Sequence, residues 1–500
     1  MKKLIAILLA LFMTLALVAC GGGSSEGTTP SGEGGSSGGN SGEGGSSEGG
    51  KANDNGLIRV WVGEESAEFY QKVCDEYIAA HSDCGYKSEV KGMDTGSVAG
   101  TITNDPAAAA DIYTVAHDNI GKLAATQCAK PITAEALVNQ VTADNPASFQ
   151  GVIYSTLDGT KYLYGVPYIS QALFLYYNKA YVTEEQVKTF EGLQEAAKAA
   201  GCKAITVTGD DGFNMSFALL ATRVSDHGTT VKIYEGAESV SGGSKGESNC
   251  QGDDTVAIYR WLQAYAADPN GFKWASPDGW NADLRNNGVV AVIGGAWHYN
   301  AAKAAVGETN LGITLIPTFK LTAEAVEGLS GVAAGDEYRG GTFADCKCFM
   351  INAHSEPSKY AKEQELIMYL ASKEIQNRSY LECMNVPAYV GAADFIKQCY
   401  EEGKVSESEY NLAASQVSMA EWGIPQPFIT GTLNTYYYSK NAPAVLRAIV
   451  DQTKYPTTGD TILEETTSVA GIRKALYLVE YLWMHGVTPK EFPANLPDKA

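Results

Sequence analysis

The chain is poor in histidine and in basic residues. Its 500 residues include six histidines, and 37 Lys and Arg stand against 58 Asp and Glu, a formal net charge of −21. Proteins that bind nucleic acid need a basic face, and docking on anionic lipid by charge also needs basic residues. The sequence therefore predicts no nucleic-acid partner, and scarce histidine limits metal or acid–base chemistry that depends on imidazole.

Two motifs are also missing: no G-x-x-x-x-G-K-[ST] loop and no C-x-x-C occur. The first absence argues against nucleotide binding. Cys346-Lys347-Cys348 is too short for a usual zinc knuckle, and we interpret its thiols as buried and inert. We also assign His117 a structural role, and we predict no cofactor and no metal. Nine cysteines follow Cys20, so at least one is free or pairs between molecules, and their connectivity cannot be read from the sequence.

The N-terminus has the features of an export signal. Lys2 and Lys3 precede an apolar run, Leu4 to Ala19, which ends directly before Cys20. A small residue before cysteine resembles the bacterial lipobox, which predicts removal of residues 1–19 and lipidation of Cys20. The alternative is a transmembrane anchor, although the run is slightly short for a span.

Residues 20–56 form a linker. Positions 21–50 contain 14 Gly, 8 Ser and 4 Glu. Such a composition cannot form a core, and a flexible coil of this length spans about 30 Å. We expect a tether that holds a folded body away from a membrane.

The remaining chain alternates strands and helices. Leu57–Val62, Asp111–Ala116 and Val289–Gly294 have strand character, whereas Ser66–Ala80 and Glu184–Ala200 have helical spacing, the latter closed by Gly201. The chain is too long for one hydrophobic core. The pattern therefore predicts an α/β protein of two lobes, each an open, mostly parallel sheet flanked by helices.

Six segments, in this order, resemble a known family: Asp111-Ile112 leading to Ala116-His117-Asp118, Gly165-Val166-Pro167-Tyr168, Leu173–Lys179, Gly294-Gly295-Ala296-Trp297, Gly312–Lys320 and Asn385-Val386-Pro387-Ala388. The chain is similar here to extracellular solute-binding proteins of sugar ABC transporters, above all to the maltose/maltodextrin-binding proteins. The resemblance extends from about Leu57 to Asp451.

The resemblance implies a periplasmic-binding-protein-like fold whose lobes are joined by three crossing segments. They would lie near Ser170–Phe174, Thr314–Thr318 and Asn385–Tyr389. One lobe would contain residues 57–170 and 318–385, and the other residues 171–317 and 386–500.

The implied function is that of a receptor and not of an enzyme. A monomer, lipid-anchored through Cys20 on the extracellular face of the bacterial cytoplasmic membrane, would capture an oligosaccharide such as maltodextrin. It would deliver this ligand to ABC-transporter permease subunits that a separate ATPase drives.

Sugar recognition needs flat apolar side chains for the C–H faces of pyranose rings and polar groups for the hydroxyls. The resemblance implies that these are Glu64, Glu65, Asp118, Asn119, Gln171, Phe213, Trp297, Tyr299 and, within Tyr436-Tyr437-Tyr438, Tyr437. Independently, ligands of open α/β sheets bind beyond the carboxyl ends of strands, which indicates the turns after Val62, Val115 and Gly294.

Four positions depart from the family pattern. Glu65 stands where the family has a basic residue, Asn119 replaces an arginine, Val115 replaces a tryptophan and Gln171 replaces a glutamate. The identity of the sugar therefore stays open. Simpler roles also stay open: Asp118 as a helix cap, Glu64 and Glu65 as first-turn acids, and Trp297 as a packing residue.

Two other functions are considered. A lipid-anchored glycoside hydrolase would need two carboxylates flanking a bond, and Glu64, Glu65 and Asp118 are the acids available. A ferric-ion receptor of similar fold could use adjacent tyrosines, which occur at Tyr176-Tyr177 and Tyr436–Tyr438. Neighbours in a strand point to opposite faces, which disfavours the first pair.

Overall fold

The computed structural model describes residues 56–145, 152–155, 161–228, 230–240, 243–277, 279–425, 441–454 and 465–485. The predicted signal sequence, Cys20 and Tyr437 lie outside these ranges. No helix within them is both long enough and apolar enough to span a bilayer.

The strands, in chain order, are β1 Leu57–Gly63, β2 Lys87–Met93, β3 Ile112–Ala116, β4 Ala129–Lys130, β5 Ile153–Ser155, β6 Lys161–Leu163, β7 Val166–Gln171, β8 Phe174–Asn178, β9 Lys203–Thr208, β10 Thr222–Arg223, β11 Lys232–Val240, β12 Gly243–Asn249, β13 Phe272–Ala275, β14 Val289–Gly294, β15 Leu311–Thr314, β16 Thr318–Lys320, β17 Glu337–Arg339, β18 Phe343–Asn352 and β19 Ile424–Pro425.

The α-helices are Ala67–Ala80, Val98–Asn104, Ile120–Ala125, Glu135–Asp144, Phe190–Ala200, Gly212–Leu219, Asp253–Ala267, Gly279–Arg285, Tyr299–Val306, Ala323–Val326, Tyr360–Leu370, Lys373–Cys383, Ala392–Glu401, Glu407–Trp422, Asn441–Val450 and Val469–His485. Short 3₁₀ turns are Glu64–Ser66, His117–Asn119, Gln186–Lys188, Ala296–His298, Glu308–Asn310 and Pro357–Lys359.

Two mixed sheets dominate the described part of the chain. One has the order β19-β18-β3-β1-β2, with β4 and β7 also paired to β18, and the other has the order β13-β9-β14-β8-β15. In the first sheet β18 runs antiparallel to both β3 and β7, and in the second sheet β8 runs antiparallel to both β14 and β15. The predicted α/β class is confirmed, and most strands of each sheet run in one direction: β1, β2, β3, β4 and β7 in the first sheet, and β9, β13, β14 and β15 in the second.

Apolar side chains form two separate cores. The smaller core contains residues between Ile58 and Ile169 and between Cys346 and Ile375. The larger core contains residues between Ala172 and Phe343 and between Tyr380 and Leu482. The chain therefore passes between the cores around residue 170, around 344–345 and around 376–379.

Residues 318–343 lie with the larger core, although the sequence analysis assigned them to the other lobe. Phe319 stacks on Trp261 at 3.9 Å, and Tyr338 pairs with Phe319 across β16 and β17. The β16–β17 hairpin thus buries Phe319 and Tyr338 in the larger core, and the chain then continues into β18. A sequence comparison shows where a strand ends but not onto which core the next hairpin folds.

The local predictions hold with one change. Val289–Gly294 is a strand as predicted. Gly201 ends the helix that precedes it in the chain, Phe190–Ala200, with a left-handed backbone conformation at φ 73°. The predicted helix Glu184–Ala200 instead begins at Phe190. Thr189 is extended, and its side chain accepts a hydrogen bond from the backbone N–H of Gly192 at 3.0 Å, which makes it the N-cap.

None of the nine cysteines after Cys20 forms a disulfide, and all nine lie in described ranges. Six are buried and the other three are partly buried. The structure thus contains no disulfide within the chain among these cysteines.

A buried carboxyl group predicts how stability depends on pH. Glu363 is fully buried, its Oε2 has no hydrogen-bond partner among the described residues, and burial raises its pKa to about 7. An unfolded glutamate has a pKa of about 4.3. The folded state therefore binds more protons between these values, and the free energy of unfolding falls as pH rises through that window.

We expect Glu363→Gln to flatten this slope and to stabilise the protein at pH 8 by up to about 3 kcal/mol, since one pKa unit corresponds to about 1.4 kcal/mol. Urea unfolding between pH 4 and 8 measures it. Glu365→Gln, an exposed position on the same helix, is the matched control and should leave the slope unchanged. If the free energy of unfolding of the Glu363 variant varied with pH as steeply as that of the unaltered protein, the raised pKa of Glu363 would be contradicted.

Candidate functional site

Polar side chains gather where β1 and β3 end. These strands are parallel neighbours, with Val60 opposite Ile112, so their carboxyl ends meet at one edge. Glu64 and Glu65 follow β1 and are exposed, whereas Asp118 follows β3 and is half-buried. The structure thus brings together the acids that the sequence analysis placed in separate turns.

β18 adds a cation to this edge. Lys347 pairs with Ala116 at the end of β3, and its Nζ lies 3.4 Å from Glu65 Oε1 and 3.3 Å from Thr95 Oγ1. Its side chain is only 14% exposed. Sequence reasoning missed this lysine because it considered Cys346-Lys347-Cys348 only for its thiols. The basic residue absent at Glu65 is supplied by a strand 282 residues away.

Gln171 closes the same edge. It is the last residue of β7, it pairs with Asp345 of β18, and it is half-buried. We name Glu64, Glu65, Asp118, Asn119, Gln171 and Lys347 the polar group. All six lie at the ends of β1, β3 and β7 or on β18.

The carboxyl of Asp118 is hard to ionise. Burial, and then the neighbouring Asp345 carboxylate, raise its pKa to about 7, although His117 and Asn119 oppose the shift. The Nδ2 of Asn119 donates to Asp118 Oδ1 at 2.8 Å. A carboxyl in this state can donate or accept a hydrogen bond near neutral pH. Asp118 is not a helix cap, since Ala116 caps the 3₁₀ turn and Asn119 the helix after it.

Aromatic rings gather at the corresponding edge of the second sheet. β9 and β14 are parallel neighbours; Phe213 follows the first and Trp297 the second. Their ring centroids are 5.9 Å apart, and Phe213 also stacks on Phe343 at 6.0 Å. Trp297 is 48% exposed, which is unusual for a large apolar side chain beside two other rings. We name Phe213, Trp297 and Phe343 the aromatic group.

The start of β18 joins the two groups. Phe343 belongs to the aromatic group, and Asp345, two residues later, pairs with Gln171 and acts on Asp118. Two residues of strand span about 7 Å. Phe343 of the aromatic group and Asp345, the partner of Gln171 in the polar group, are thus about 7 Å apart along β18, where the chain passes between the two cores.

One of the predicted residues is not brought into this arrangement. Tyr299 is buried, and its hydroxyl lies 2.9 Å from Ser408 Oγ. It packs in the larger core, because the first turn of its helix faces inward. Tyr437 lies outside the described residues.

The tyrosine pair proposed for ferric iron is buried in the second sheet. Tyr176 donates its hydroxyl hydrogen bond to the carbonyl of Gly295 at 2.9 Å. The ring of Tyr177 packs on Gly312, where a Cβ would lie 2.2 Å from it. The Tyr176 hydroxyl and the Tyr177 ring thus take part in packing within the second sheet. The second run, Tyr436–Tyr438, is not among the described residues.

Comparison with known proteins agrees with the fold. The family model for bacterial extracellular solute-binding proteins matches residues 72–398. A curated relative, the maltodextrin-binding protein MdxE of Bacillus subtilis (strain 168), is 25% identical over 450 residues, covering 86% of this chain and 88% of the relative.

Solved structures with the same fold include a maltodextrin-binding protein, MalE1 of L. casei BL23, without ligand (TM-score 0.64, 19% identity, 86% of this chain and 99% of that one). Another is MalX of Streptococcus pneumoniae in complex with maltopentaose (TM-score 0.58, 17% identity, 86% and 100%). Both confirm the two-lobed fold. Since the family model matches well over half of the chain, this protein belongs to the bacterial extracellular solute-binding protein family.

Proposed function

We propose that this protein is a lipid-anchored receptor that captures an oligosaccharide of the maltodextrin class between its lobes and delivers it to an ABC importer, without catalysing a reaction. Support comes from the curated relative, which is named a maltodextrin-binding protein, and from a neighbour of the same fold described as complexed with maltotetraose (TM-score 0.60, 17% identity, 87% of this chain and 97% of that one).

The observation that carries the proposal is that β18 connects the aromatic group, at Phe343, to the polar group, at Asp345 opposite Gln171. An exposed indole offers a flat apolar surface for the C–H face of a pyranose, and the carboxyls, amides and ammonium of the polar group suit its hydroxyls. Both kinds of surface are needed, because a sugar buries apolar and polar faces together.

Capture would work through lobe closure. The polar group lies on the first sheet or at the ends of its strands, and the Phe213–Trp297 pair follows strands β9 and β14 of the second sheet. A ligand that contacts both favours the closed state by its additional contacts there. We propose lobes that follow the cores, residues 57–170 with about 345–375, and 172–344 with 380–485, in place of the boundaries predicted from sequence.

The anchor and the partner complete the proposal. Residues 1–19 would be removed, Cys20 would carry lipid on the extracellular face of the membrane, and residues 20–56 would tether the body. The closed form would dock on permease subunits that a separate ATPase drives. The family's extracellular description supports the location.

The test is a fluorescence titration of the body from Lys51 onward with maltose, maltotriose, a longer α-glucan, a β-linked oligosaccharide and ferric citrate. We expect saturable changes with α-glucans and none with ferric citrate, since the described tyrosine pair is occupied in packing. Sugars recovered afterwards should be unaltered. A visible absorbance band with ferric iron alone would favour the metal receptor, and shortened sugars would favour the hydrolase.

A further inference from the structure

A second cluster lies beside the polar group and was not predicted as a site. It consists of His117, Asp345 and Cys346, and each side chain is at least nine-tenths buried. One imidazole nitrogen, one carboxylate oxygen and the thiol sulfur all lie within 4.8 Å of one another. The sequence analysis assigned the histidine a structural role and the thiol an inert one.

The backbone fixes this convergence. His117 is the first residue of the turn after β3, and β18 pairs antiparallel with β3, with Lys347 opposite Ala116. Asp345 and Cys346 therefore lie next to the end of β3. His117 Nδ1 forms an ion pair with Asp345 Oδ1 and is 3.3 Å from the backbone N of Cys346.

The spacing suits one metal ion. Zinc lies about 2.0–2.3 Å from nitrogen, oxygen and sulfur ligands, so two ligands of one ion are at most about 4.6 Å apart. The three donor atoms lie within 4.8 Å of one another, close to this limit, and binding of one ion would require the directly contacting His117 and Asp345 atoms to move apart. Imidazole and thiolate favour zinc-like transition metals, whereas Mg²⁺ and Ca²⁺ prefer sets of oxygen ligands.

We propose that His117, Asp345 and Cys346 form a three-ligand site for a zinc-class divalent ion, with water in the fourth position. The site goes beyond the proposed sugar binding and does not depend on it. It lies where β18 leaves the larger core at Phe343 and enters the smaller one at Cys346. A bound ion would link the turn after β3 to the first residues of β18 and so restrict the motion of the segment that connects the two cores.

The probe is Co²⁺, added to the reduced, metal-free full-length chain in detergent. We expect one equivalent to bind with a near-ultraviolet thiolate-to-metal absorption band, and Zn²⁺ to displace it. Cys346→Ser should abolish the band and weaken binding at least about tenfold, since loss of even outer-shell partners costs 10–100-fold. Asp345→Asn should weaken binding while keeping the band, which separates a ligand effect from misfolding.

Cys128→Ser is the matched control. Cys128 is as buried as Cys346 and lies in the same core, but its thiol accepts a hydrogen bond from the Thr126 hydroxyl at 3.3 Å and is not part of the cluster. It should keep both the band and the affinity. The proposal is overturned if the unaltered chain gives no thiolate band, if Cys346→Ser retains it, or if Cys128→Ser loses it as well. Sugar titration of the same samples reports on the proposed function separately.

Discussion

Trp297→Ala should raise the Kd for the bound sugar by about 30-fold or more, with the fold intact. Its indole is 48% exposed and contacts Phe213, so about half of its surface is free for a ligand. Its loss should therefore cost binding and not stability. Truncation of a central aromatic contact in a binding site typically costs about 2 kcal/mol or more, and 1.4 kcal/mol corresponds to tenfold in Kd. Isothermal titration calorimetry with the sugar identified by fluorescence measures it.

Tyr181→Ala is the matched control for this experiment. Tyr181 is also an exposed aromatic residue, at 38%. It follows β8, whose Phe174 pairs with Gly294, so the end of β8 lies at the opposite edge of the sheet from Trp297. The control should bind sugar normally. Trp297→Phe should recover part of the affinity, and an unchanged Kd in Trp297→Ala would contradict a stacking role.

Asp111→Ala should lower the free energy of unfolding by about 3 kcal/mol or more. Asp111 and Lys359 are both buried, and the lysine Nζ lies 3.3 Å from each carboxylate oxygen. The carboxylate also accepts a hydrogen bond from the backbone N–H of Arg59 at 2.8 Å. Removing one partner of a buried pair leaves the other charge buried without compensation, which typically costs 3–5 kcal/mol. Urea unfolding at pH 7 measures the change.

Two controls make the Asp111 result specific. Asp111→Leu combined with Lys359→Met removes both charges and should recover most of the loss, since replacing a buried pair by apolar residues is often neutral. Lys303→Ala breaks an exposed pair with Glu308 and should cost less than about 1 kcal/mol. If Asp111→Ala proves no more costly than Lys303→Ala, the pair contributes little to stability.

Much of the fold could be predicted because local physical rules act within short segments. The strand Val289–Gly294 is a continuous apolar run, and Gly201 takes the left-handed conformation that ends a helix. The start of one helix was wrong by six residues, because the pattern from Glu184 fits a helix until Thr189 adopts an extended conformation as N-cap. The periodicity of apolar residues does not reveal which threonine will cap.

The candidate site was predictable only where one segment carries it. Trp297 follows a glycine pair at a strand end, so its exposed position could be expected from the sequence. Lys347 could not be expected, because its partner Glu65 lies 282 residues earlier. Tyr299 was placed wrongly for the opposite reason: its proximity to Trp297 along the chain says nothing about which side of the helix faces the core.

The sequence by itself determined the α/β class, the strands Leu57–Val62, Asp111–Ala116 and Val289–Gly294, the tether composition and the family resemblance, because each depends on residues close together along the chain. Only the tertiary structure decided which core receives residues 318–343, which cation faces Glu65, and that His117, Asp345 and Cys346 meet. Strand pairing makes these choices: β18 is antiparallel to both β3 and β7, and its register places residues from distant parts of the chain within a few ångströms.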